Sequence, residues 1–247
     1  MKIKNTKMLT GYLGHFVIRL SVFLVFLYLY LTDRENIWTK VSTPVWKEFN
    51  PHALIWFNFM LIIISHFFPT KLITMGVRKS QEKYFDPVEN YSRSGLLEIV
   101  KKRNAGAWGV LIVWLLFNLI FGILYLCNVL KEADLFMLTV FFYLCDFICI
   151  LFFCPFQTLI MKNRCCVNCR IYDWGHFMMF TPMLWIRSFF SWSLFLTSVV
   201  LLIHWEVKWA KNPERYWFGS NKNLQCANCK DKLCQIKRKL NGGRTPE

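Results

Sequence analysis

The sequence predicts an all-α polytopic integral membrane protein, with about five transmembrane helices and a Cys-rich metal-binding cap at the membrane surface. Three observations predict it. Apolar residues make up 55% of the 247 and charged residues only 18%, against about a quarter charged in ordinary soluble domains. The apolar residues are clustered, and residues 105–127 carry no charge at all. Six of the ten cysteines fall in two polar segments of similar pattern. Composition and clustering together exclude disorder, a secreted disulfide mini-protein and an ordinary soluble enzyme.

A bilayer core about 30 Å thick takes roughly 20 helical residues to cross, and five runs approach or exceed that length: 16–31, 52–68, 105–127, 133–156 and 177–205. Solid apolar runs read as helices, because barrel strands alternate and lipid cannot solvate unpaired backbone. The first run follows Lys2, Lys4 and Lys7, the charge pattern of a signal peptide. Tyr28, Tyr30, Asp33 and Arg34 nevertheless stand where a small-residue cleavage site belongs, so the run is expected to remain as a span. Residues 1–205 then form the transmembrane domain and 206–247 a basic, Cys-rich tail. A short amphipathic helix is expected on the membrane around 94–102, and disorder over 241–247.

Lys and Arg set the orientation. The N-terminal stub holds three, the 69–104 loop eight, and Lys162, Arg164 and Arg170 follow the fourth run. These segments are expected in the cytoplasm of a multi-pass cell-membrane protein, against the bilayer and its anionic headgroups. The tail is harder to place. Its ten basic residues favour the cytoplasm, yet five simple crossings would leave it outside. The 177–205 run contains Pro182 and Arg187 and is long for one span, so a re-entrant bend there would return the tail to the cytoplasmic side.

The strongest chemical signal is the cysteine spacing. One segment reads Cys165-Cys166-Val167-Asn168-Cys169-Arg170, the other Cys226-Ala227-Asn228-Cys229-Lys230, with Cys234 following. A C-x-x-C turn points two sulfurs at one ion, Asn tolerates the left-handed backbone such turns use, and a basic neighbour offsets thiolate charge. Cys166, Cys169, Cys226 and Cys229 would complete a tetrahedral zinc shell, with Cys165 and Cys234 as spares. An iron–sulfur cluster is the alternative, and disulfides or redox dithiols are the metal-free ones. Zinc is favoured because the Cys226, Cys229, Cys234 spacing is not that of a standard ferredoxin.

Two charges lie deep in apolar runs, Asp146 in the fourth and Arg187 in the fifth, and a buried charge needs a partner. An Asp146–Arg187 pair is the natural expectation, while Arg19 is near enough to the start of its run to snorkel. Cys145 and Cys149 share a helix face and read as packing. Asp173 and His176, beside the first Cys segment, form a candidate surface site, or else an interfacial set with Asp173 capping the fifth helix.

The sequence has no Walker A, dinucleotide, H-E-x-x-H or G-x-S-x-G motif, and its basic loops do not call for nucleic acid. Three readings follow. The first is a structural-metal scaffold, sensor or assembly protein. The second is a membrane redox protein using iron–sulfur or dithiol/quinone chemistry, and the third a small transporter using Asp146 and Arg187.

Overall fold

The computed structural model describes residues 6–35, 51–71, 73–163 and 165–240. Regular structure among them is helical, with one isolated bridge between Pro87 and Asn221. Each long helix begins where a side chain can take an orphan N–H. The Thr6 hydroxyl accepts from Leu9 to open α1 (Lys7–Thr32). Ser92 accepts from Gly95 to open α4 (Arg93–Leu126), and Ser188 from Ser191 to open α7 (Phe189–Lys211). In α5 (Glu132–Leu151) the Asp134 carboxylate, at N3, accepts from the Lys131 N–H. Between these lie α2 (Pro51–Phe67), with Pro at its first position, the single turn α3 (Met75–Arg78) and α6 (Gly175–Phe180). The tail ends in α8 (Gln235–Leu240).

The helices α1, α4, α5 and α7 are long and apolar enough to cross a membrane, and α2 is a shorter apolar helix. Their outward faces are greasy. Leu115, Leu116, Leu119 and Ile120 on α4, Leu196, Val200 and Ile203 on α7, and Val17, Leu24 and Val25 on α1 are all exposed. A water-soluble surface does not carry apolar area on this scale.

Two expectations change. The 94–102 segment is not a separate surface helix. No breaker separates it from the apolar run, so α4 continues through 34 residues, about 50 Å at 1.5 Å per residue, and its first turns project beyond the apolar part. The 177–205 run is a broken segment followed by a helix rather than one helix. Residues Gly175–Phe180 are α-helical, Thr181–Trp185 are a 3-10 turn with Pro182 near its start, and Ile186 is extended. The chain then reverses at Arg187–Ser188 and returns as α7. The broken strut runs up the middle of the bundle, burying Phe177, Met179, Phe180, Thr181, Pro182, Met183 and Ile186 against α5 and α7. Irregular backbone at this depth is tolerable because protein rather than lipid surrounds it.

Among the described residues, α1, α2, α4, α5, the strut and α7 run along the bundle, and one end gathers the basic segments. Thr6 donates to the Asp231 carbonyl, and the Met75 N–H donates to the Asp231 carboxylate at 2.6 Å. The Lys222 N–H reaches the Asp86 carbonyl at 2.8 Å, and Arg103 the Tyr216 carbonyl at 2.9 Å. The N-terminal end of α1, the 73–92 segment, the first Cys segment and the tail therefore share that basic end. At the opposite end Arg34 forks onto Asp134, and Lys131 meets Glu35. The expected disorder of 241–247 lies outside the described residues.

Candidate functional site

The chain break after α5 builds the site. At its last turn the N–H groups of Phe152 and Phe153 share the Ile148 carbonyl, and Pro155, without an N–H, cannot prolong the ladder. Residues Phe156–Ile160 then form a π turn, a geometry common at functional sites. The Gln157 N–H donates to Cys154 Sγ at 3.4 Å, so this thiol caps the turn. Opposite it, the first Cys segment closes through the Cys169 N–H to the Cys166 carbonyl at 2.9 Å.

Between these pieces and α4 lies a cavity of about 450 Å³. Trp114, Phe142 and Phe156 supply aromatic wall, Cys145, Cys149, Cys154, Cys166 and Cys169 line it, and Asp146 and Gln157 are among its polar residues. Cys149, in the last turns of α5, and Cys154, just past its end, line the same cavity. From the tail, Lys237 on α8 reaches into the same region. Its buried ammonium donates to the Cys149 carbonyl at 2.6 Å, to Gln157 Oε1 at 2.7 Å and to Cys166 Sγ at 3.1 Å. The Cys166 thiol meets Gln157 Oε1 as well. Both contacts fix the amide, and Gln157 Nε2 is buried with no hydrogen-bond partner among the described residues. Leaving such a donor unpaired costs about 1–3 kcal/mol.

The predicted six-cysteine cap separates into two sets. Cys166 and Cys169 face inward. Burial holds the Cys166 thiol above its usual range despite Lys237, and pushes Cys169 up to about 11. Cys165 faces the tail, within electrostatic reach of Cys226 and Cys234, and burial pushes it up to about 12. Cys229 Sγ accepts from the Lys232 N–H at 3.5 Å. Among the described residues no three His, Cys, Asp or Glu side chains are set to hold a metal. Cys166, Cys169, Cys226 and Cys229 do not stand as one ligand group among the described residues. The asparagines also differ from expectation. The positive φ values near these turns are at Lys162 and Lys232 rather than at Asn168 or Asn228. Asn168 instead ties the loop to the tail through the Leu224 carbonyl at 3.2 Å.

The expected Asp146–Arg187 pair is corrected. Asp146 pairs with Arg19 at 2.9 Å, and the same guanidinium donates to the Tyr143 carbonyl and lies over the Tyr143 and Phe147 rings. Arg187 is exposed, on the turn where the strut reverses, near Tyr125. Reading 177–205 as one helix had placed it mid-membrane. Asp173 and His176 do not form a joint site. His176 packs on His66 with ring centroids 4.4 Å apart. Asp173, pushed up to about 6 by burial against the pull of Lys79 and Arg170, caps nothing, since α6 starts from Trp174 without a side-chain cap. Lys79 is itself buried, donates to the Val167 and Cys169 carbonyls, and is brought down to about 8 by desolvation. Comparison with known protein families, with curated proteins and with solved structures finds no match for this chain.

Proposed function

We propose that the protein is a membrane thiol–disulfide oxidoreductase whose working dithiol is Cys149 and Cys154. The observation that carries this reading is that both cysteines line one cavity, with the buried Lys237 ammonium on the Cys149 carbonyl, Gln157 Oε1 and Cys166 Sγ. Two cysteines on one cavity wall make a candidate dithiol, and a cation in the same region favours the thiolate that exchange chemistry needs. Cys166, on the same ammonium, is placed to pass the disulfide on. The basic end is assigned to the cytoplasm of the cell membrane, against anionic headgroups, by the positive-inside rule.

A second reading is a structural zinc cap on the outer sulfurs. The proximity of Cys165 to Cys226 and Cys234 supports it, as does the N–H donated to Cys229 Sγ. It keeps the scaffold or sensor role, with iron–sulfur as the alternative metal. One preparation separates the two. Protein purified in detergent without oxygen is assayed for zinc, iron and sulfide, then oxidised with diamide and mapped by peptide mass spectrometry. The redox reading expects a Cys149–Cys154 disulfide that is lost in Cys149→Ser and kept in Cys165→Ser. Stoichiometric zinc, released by Cys229→Ser and accompanied by no 149–154 disulfide, would move the assignment to the cap.

A further inference from the structure

We infer that the cavity beside Cys149 and Cys154 is a quinone site entered from the bilayer, where Gln157 donates to a quinone carbonyl and the dithiol reduces the ring. This rests on the redox reading above and names its electron acceptor.

The cavity's size suits a small ring system rather than a peptide, and its walls are largely apolar and aromatic. Three lining residues, Val113, Phe117 and Phe153, are also exposed on the outer face of the bundle, each by 40% or more. A molecule entering past them comes from lipid and must itself be apolar. The polar requirement is equally specific. Gln157 is 3% exposed and lines the cavity. Its Oε1 is engaged by Lys237 and Cys166, which leaves the unpartnered Nε2 as a donor. A ligand that fits therefore carries an acceptor on an apolar ring. An acyl chain satisfies the walls but offers Gln157 nothing.

A quinone meets both demands, and its chemistry matches the sulfurs. Two S–H bonds break and one S–S bond forms between Cys149 and Cys154. The two electrons and two protons released convert quinone to hydroquinone, so the reaction balances without a further reactant. Lys237, behind the Gln157 amide, polarises the donor toward the carbonyl that gains charge.

The test uses the full chain in nanodiscs with a short-chain benzoquinone as probe. Binding is read by quenching of tryptophan fluorescence, and turnover by anaerobic mixing of pre-reduced protein with the probe. The expected result is saturable binding and one hydroquinone per 149–154 disulfide formed. Cys154→Ser should bind but not react. Val113→Trp, a change on the exposed face that blocks the mouth, should raise Kd about tenfold or more, and Gln157→Leu should raise it about tenfold. A protein that forms the disulfide with diamide but neither binds nor reduces the probe overturns the quinone site and leaves the dithiol standing. A protein that forms no 149–154 disulfide with either oxidant overturns both.

Discussion

Lys237 joins the tail to the interior of the bundle, and Arg19 does the corresponding work on α1. The Arg19 side chain is mostly buried and Asp146 partly so. Removing either partner of such a pair strands a charge, whereas replacing both with apolar groups relieves the desolvation cost. Arg19→Met should therefore destabilise the protein by on the order of 3 kcal/mol, and Arg19→Met with Asp146→Leu should recover most of the loss. Thermal unfolding in detergent, followed by tryptophan fluorescence, checks this. A double variant no better than the single one would show that the pair is not what holds α1 to α5. At this scale the sequence was partly readable. Asp146 stood out as a charge in need of a partner, but the partner depended on which helices are neighbours. Local spacing marks Cys166, Cys169, Cys226 and Cys229, while Cys149 and Cys154 share a cavity wall only because α5 stops between them.

The central strut was the least legible element. Its apolar composition runs unbroken into α7, and hydropathy alone does not record a reversal. Pro182 and Arg187 were the available clues, since Pro ends a regular helix and an unpaired Arg is costly in lipid. Its position depends on α4, where Trp185 lies flat against Gly122. A Cβ added at Gly122 would sit 2.1 Å from Trp185 Cε2, and the indole cannot retreat into a packed interior. Gly122→Val should consequently cost about 1–3 kcal/mol through overpacking, seen as a lowered thermal midpoint. Adding Trp185→Leu makes room for the new side chain and should restore part of it. Unchanged stability of Gly122→Val would mean that strut and helix are not in contact. Where elements are regular, the sequence located them well: α1, α2, α4 and α5 each contain the core of a predicted run, and errors fall at the ends, where caps rather than hydropathy decide.

For the whole molecule, the strut reverses the direction of the chain before α7. The start of α1 and the tail then lie together, as the Thr6–Asp231 contact records. The charge distribution and the path of the chain then agree. The basic loops and the tail lie at one end, and the short connection after α4 lies at the other. Two native cysteines report on this arrangement. Cys127 is exposed just beyond α4 at the opposite end, and Cys226 is exposed on the tail. A membrane-impermeant maleimide applied to intact cells should label Cys127 and leave Cys226 untouched. Permeabilisation in the presence of a chelator should then expose Cys226, with both sites read by peptide mass spectrometry. The reverse pattern would invert the bundle and set the basic end outside. Labelling of both from outside would separate the tail from the start of α1 and contradict the contact between them.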